Sequence, residues 1–392
     1  MDYISASEAS ERWGVSLRQV QRLLADNRIP RAKKYGRSWM IPSDAEKPTD
    51  PRSEKKQPDK SLSDELSYVI ASTSMPMPAN NPDAILEVIE DERLRIQYKL
   101  ELSYLRGDFE QAFNCFKNTE GDDAVRLRAC YMAIVTAVSM GDYRKYTEIA
   151  EYLKKYITNN TGSNISAFAE MSLAAADVSA MAPNMVPNWL KEGDFSALPV
   201  KIRPITLYIR AKYLQSTRQF EAMLTVAQTA LSLCESQQGI TQMDIYFRVV
   251  CAIACNCLKR SDDARRWLLE AMNLALPHGF ITPFAESIIA LGGLVELCLK
   301  ESYPDYYNAV LGQCKSAIKN WITFHNLFTK DNITLILSVR EYHIALLVAH
   351  RVPYEKIAKQ YGISVGRLKN IMLDIYGKLF VSGRDELSKY VF

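Results

Sequence analysis

From Pro82 to about Asn332 the apolar residues return every three or four positions, and alternation of period two is scarce. That pattern restricts most of the chain to packed helices. The helices come in pairs around a short polar turn. The first turn reads Arg106-Gly107-Asp108-Phe109, and the second, Met140-Gly141-Asp142-Tyr143, follows thirty-four residues later. The segments 217–220 and 260–263 hold equivalent places at looser spacing. Ala112, Ala150, Ala222 and Ala264 would let paired helices approach closely. Stacked pairs of this kind leave a concave groove able to take a peptide, a protein or a small molecule. Tyr208, Arg210, Tyr246 and Arg248 are candidates to line it, although helical spacing alone does not say which face is inner. The plainer reading of aromatics at this spacing is core.

The first forty-two residues follow a different plan. Ser5 with Glu8 and Ser16 with Gln19 are capping-box pairs, each opening a short helix. Gly14 supplies the turn between a helix ending near Trp13 and one running to about Asp26. Ala9, Val15, Val20, Leu23 and Leu24 provide a small apolar core. The stretch from Lys33 to Ile41 then reads as strand, tight turn at Gly36 and second strand, ended by Pro42. Two helices and a hairpin in this order form a winged helix-turn-helix.

The last segment, 337–392, has the same helix-turn-helix spacing. Ser338 and Glu341 cap a helix to about Ala349, and Pro353 starts a second. Gly362 makes the turn, and Ser364 caps the third. A final helix at about 382–391 offers Leu387, Tyr390 and Val391.

These motifs carry three resemblances. YISASEASERWGVSLRQVQRLLADNRIP with KKYGRSWMIP resembles the winged helix-turn-helix of the MerR and excisionase type. That likeness implies that Leu17, Arg18, Gln21 and Arg22 face the major groove, with Lys33, Lys34 and Arg37 on the wing gripping phosphate or the minor groove. The body resembles tetratricopeptide repeats, and residues 265–286 look like the helical-repeat region of MalT-type regulators. No GxxxxGK accompanies them, so nucleotide use is not implied. The C-terminal segment resembles the LuxR-type four-helix domain through Arg340-Glu341-Tyr342, Ile357-Ala358, Ile363-Ser364, Lys369-Asn370 and Ile375-Tyr376. By that likeness Arg367, Lys369 and Asn370 face DNA. Arg351 and Phe380 stand where such domains carry glycine, and Gly366 weakens the start of the third helix.

The charge distribution agrees. Residues 1–42 hold eight Lys or Arg against four Asp or Glu, and residues 337–392 hold nine against five. The whole chain of 392 residues is only +3, so its middle is acidic. Basic ends suit nucleic acid. No run of eighteen apolar residues suggests a membrane span, and the N-terminus lacks the basic start and apolar core of a secretory leader. Eight cysteines form no CxxC pair, and Cys251, Cys255 and Cys257 fall in an apolar helical run. They read as core thiols of a reducing, cytoplasmic compartment. Four histidines show no metal-ligand spacing, and no GxSxG occurs, so neither a catalytic nor a metal site nor a cofactor is expected.

The sequence therefore predicts a mainly α protein with one small β-hairpin. Its parts would be a reader at 1–42, a mobile linker at 43–81 containing a short helix near 64–71, a repeat body at 82–336 and a second reader at 337–392. The expected function is a transcription regulator that binds double-stranded DNA as a homodimer. Its body would sense a small-molecule or peptide effector. The alternative is a scaffold whose repeats hold another protein, with only the first head on DNA.

Overall fold

The computed structural model describes residues 3–36, 38–48, 60–234, 239–291, 293–330, 337, 339–379 and 381–388. Helix accounts for 73% and strand for 3%, so the mainly α expectation holds, and among the described residues the strands form one small antiparallel sheet. The chain divides into two compact units, residues 1–57 and 58–392.

The first unit holds α1 (Ala6–Trp13) and α2 (Leu17–Ala25), with strands β1 (Tyr3–Ile4), β2 (Lys33–Tyr35) and β3 (Ser38–Pro42). Ser5 and Glu8 form the expected reciprocal cap, and Gly14 ends α1 in the left-handed conformation, φ +63°. Gln19 N–H donates to Ser16 Oγ at 3.3 Å, which is half of the expected second box. Lys34 pairs with Trp39 across the hairpin, and Gly36 turns it at φ +60°. The sequence pattern did not foresee β1, which pairs antiparallel with β3 and gives the order β1-β3-β2. Ala9, Val20, Leu24, Ile29 and Ile41 form this unit's buried core.

The second unit begins earlier than the expected linker boundary of 81. Residues 60–72 form α3 (Lys60–Ser72), and Leu66, Val69 and Ile70 are buried in the same core as the helices that follow. Met77 joins that core and pairs with Ile240 as an isolated bridge. Period-four apolar residues inside a polar, proline-bearing stretch were enough to dock it.

The helices that follow are α4 (Ile85–Val88), α5 (Glu92–Arg106), α6 (Phe109–Lys117), α7 (Asp123–Met140), α8 (Tyr143–Asn159), α9 (Asn164–Ser179) and α10 (Asn188–Glu192). Next come α11 (Arg203–Ser216), α12 (Phe220–Cys234), α13 (Gln242–Cys257), α14 (Ser261–Ala275), α15 (Thr282–Leu291), α16 (Leu294–Ser302) and α17 (Tyr307–Thr329). From α5 to α9 and from α11 to α14 each helix packs on its sequence neighbour, and α17 returns against α7 and α15. The Gly-Asp-aromatic turns have a simple cause. Gly107 (φ +82°) and Gly141 (φ +69°) close α5 and α7 in a conformation that strains a residue with a Cβ. Asp108 and Asp142 then cap α6 and α8, each accepting a backbone N–H three residues on at 3.0 Å.

The last elements are α18 (Val339–Ala349), α19 (Tyr354–Tyr361), α20 (Val365–Leu379) and α21 (Arg384–Leu387). Pro353 lies one residue outside α19, as its N-cap, rather than opening the helix. Arg351, in the place expected for glycine, takes φ +59°. Ser338, Phe380, Tyr390 and Val391 lie outside the described residues. Leu387 is fully buried in the core of α18–α21, so it is not available as the expected dimer contact. The same core includes Ile322 of α17, with Ile318 and Trp321 packed against it.

Candidate functional site

Two outer helix faces and one internal cavity hold chemistry that the cores do not require. On α2, Val20 and Leu24 are buried, and the 100° step per residue then directs the opposite face outward. Arg18 and Arg22 occupy the middle of that outer face, with Gln21 on its flank; all three are exposed. Leu17 is 42% exposed and sits nearer the core seam. Arg22 lies 4.0 Å from Asp26, a solvated pair of small energy. Lys33 and Lys34 are exposed on β2, and Lys34 Nζ lies 5.8 Å from the centre of the Trp39 ring. Arg37 lies outside the described residues.

On α20 the buried face is Leu368, Met372 and Ile375. Asn370 stands at the centre of the outer face, Arg367 and Leu373 flank it, and Lys369 lies toward its edge. All four are exposed. Arg367 N–H donates to Ser364 Oγ at 3.1 Å, so the expected cap is present.

The third site is internal. A cavity of about 450 Å³ opens among α7, α9, α11, α13, α15, α17 and α18. At its centre Glu286, on α15, accepts from Tyr104 at 2.6 Å and from Ser139 at 3.1 Å through Oε1, and from Tyr246 at 3.3 Å through Oε2. The carboxylate is enclosed by helices but keeps surface toward the cavity. Burial pushes its acid dissociation above the usual carboxylate range, while the Tyr104 hydrogen bond, Lys212 and the other two hydroxyls pull it back. Lys212, also in the cavity, is lowered by burial and raised by Glu286, and its ammonium donates to Gln215 Oε1 at 3.0 Å. Burial raises the phenols of Tyr104, Tyr208 and Tyr246 well above their ordinary range.

Where α18 and the residue after α21 close the cavity, the lining turns cationic. Arg218, Lys259 and Arg351 line it there with His350. His350 is pushed down to about 4 by burial and by Arg218 and Lys259, which leaves it neutral at pH 7. Arg218 donates to Ser388 Oγ at 3.3 Å, and Arg351 pairs with Asp385 at 3.3 Å.

Of the four residues expected in a groove, Tyr208 and Tyr246 line this cavity. The other two do not. Arg210 donates to the Leu190 carbonyl at 2.9 Å, and Arg248 lies between Asp244 and Glu270. Sequence reasoning missed Glu286 and Lys212. The signal for Glu286 was present: a lone acid inside the apolar run TPFAESIIA. Cys115, Cys130, Cys251, Cys255, Cys298 and Cys314 are buried free thiols. Among the described residues no helix is long and apolar enough to cross a membrane. No protein-family model matches the chain, and no curated protein matches it.

Proposed function

We propose that the protein is a DNA-binding transcription regulator whose helical body senses a signal. On this reading the first unit is a winged helix-turn-helix, and residues 339–388 are a four-helix LuxR-like reader. The observation that carries the reading is the outer face of α2. Arg18 and Arg22 lie one turn apart on it, beside Gln21, on a helix fixed from behind by Val20 and Leu24. Arginine reads guanine edges and glutamine reads adenine, and the exposed lysines of β2 can hold phosphate. The tetratricopeptide-like body then supplies the chamber in which an effector acts.

The test is genome-wide mapping of sites with the intact protein beside the double variant Arg18→Ala, Arg22→Ala. A shared sequence motif that the variant loses supports the reading. Identical maps, or no motif at all, refute it.

A second reading keeps the scaffold role for the body and leaves DNA to the first head alone. It draws on the close packing of α18 on α17, where Tyr342 stacks on Trp321 at 6.0 Å, and on the 66% exposed Leu373 amid the outer face of α20. An Arg367→Ala variant with an unaltered footprint would favour it.

A further inference from the structure

Three cations of the cavity occupy a backbone conformation that residues with side chains avoid. Arg218, Lys259 and Arg351 have φ of +60°, +64° and +59°. Left-handed backbone is unfavourable for an L-residue, and the comparable turns after α5 and α7 use Gly107 and Gly141. Seven non-glycine residues have positive φ among the described residues, and these three, with Met181, line the same cavity. Strained residues kept at a pocket point toward function rather than folding. Glycine would fit these turns more easily, and Arg218 and Lys259 crowd His350; Arg218 and Arg351 also reach Ser388 and Asp385.

The lining has a direction. Four cations, counting Lys212, line the chamber with one carboxylate, Glu286, among the described residues; Arg351 is paired with Asp385, and the excess of Arg218, Lys259 and Lys212 over Glu286 favours an anion. Glu286 retains accepting capacity beyond its three hydroxyl partners, since an ionised carboxylate offers about four lone-pair sites. Between the two ends the walls are apolar, with Val135, Ile209, Ile253 and Trp321 among them. The volume lies within the usual small-molecule range of about 300–1,000 Å³.

We infer that the cavity binds a small organic acid with an apolar body, its acid group held by Arg218 and Lys259 beside Arg351, and a distal hydroxyl or amino group donating to Glu286. Tyr342, Leu346, Ala349 and His350 of the C-terminal segment form part of the wall, so occupancy bears on how α18–α21 seat. A ligand shifts that seating only through its different affinity for the two arrangements. The assignment rests on reading the body as the sensing part.

The experiment is calorimetric titration of the full chain with straight-chain carboxylic acids of rising length, each ending in methyl, hydroxyl or amino. Hydroxyl- or amino-ended acids should bind more tightly than methyl-ended acids of equal length. Arg218→Gly and Lys259→Gly should each weaken the acids by about tenfold, while melting at or above the wild-type temperature because the backbone strain is relieved. Glu286→Leu, checked for fold by circular dichroism, should erase the preference for a polar end, because it leaves no acceptor. No binding by any acid at millimolar concentration overturns the proposal, and so does binding indifferent to Arg218→Gly. Gel shifts without ligand separate the two failures. Intact DNA binding with no acid binding sinks the ligand assignment alone, and acid binding without DNA binding sinks the regulator reading alone.

Discussion

The Tyr104 hydroxyl donates to Glu286 Oε1 at 2.6 Å, joining α5 to α15 across 182 residues of chain. Glu286 keeps surface toward the cavity, so water there offsets part of a lost donor. Tyr104→Phe should therefore destabilise the protein by only about 1 kcal/mol in urea denaturation at pH 7. It should also raise the proton affinity of Glu286 further. A variant as stable as the wild type would show that the bond contributes nothing.

If the first unit reads DNA as proposed, Arg18→Ala should weaken binding at the cognate site by about 1–3 kcal/mol and relax base preference at one position. Lys34→Ala should act differently. It should weaken binding to all sequences alike and reduce the salt slope by about one. Equilibrium titrations at several salt concentrations distinguish the two patterns, and identical behaviour of both variants would overturn the division between reading and gripping.

Two glycines with the same backbone sign should respond unequally to alanine. A Cβ on Gly141 would lie 2.7 Å from the Asn320 carbonyl oxygen, where α7 ends against α17. One on Gly121, at φ +95°, would meet nothing within 4 Å. Gly121→Ala should cost about 1 kcal/mol from backbone strain alone, and Gly141→Ala should exceed it by at least about 1 kcal/mol. Equal melting temperatures for the two variants would contradict the close approach.

Asp177 on α9 and His350 pull stability in opposite directions with pH. Burial raises the Asp177 carboxyl to about 7, beside the Tyr146 ring. The native state then holds a proton that the unfolded chain has lost, so this group's contribution falls as pH rises from about 4 to 7. His350, lowered to about 4, holds its proton only when unfolded, and its contribution rises over pH 4–6.5. Asp177→Asn should stabilise by roughly 1–2 kcal/mol at pH 8, after allowance for solvent screening. The gain should vanish near pH 4, and the variant should show the rising limb of His350 unopposed. Denaturation midpoints across this range provide the check, and a gain independent of pH would sink it.

Local signals were legible where one residue type has one physical use. Gly107 and Gly141 could be read as helix ends, Asp108 and Asp142 as the caps beyond them, and Arg18 and Arg22 as an outward pair on a capped helix. The cavity was much less legible. Tyr104, Ser139, Tyr246 and Glu286 meet from four helices spread over 183 positions, and helical periodicity says only that each has an inner face. Arg218 and Lys259 looked like ordinary turn residues, because the left-handed backbone that distinguishes them leaves no trace in composition. The short helix around Leu66, Val69 and Ile70 is legible in the sequence, but its docking is not, because prolines and charges flank it. Three apolar residues at the right spacing outweigh such neighbours once a facing helix is present.

Tyr3 and Ile4 pair with Pro42 and Ile41 at the outer edge of the three-stranded sheet. Tyr3 and Ile4 are thereby held by hydrogen bonds at the edge of the first head's sheet. A fusion or affinity tag placed there would sit beside the hairpin that carries Lys33 and Lys34. An extended tag could add itself to that edge as a further strand, so assays of the first head are best run on protein whose leading extension has been cleaved away.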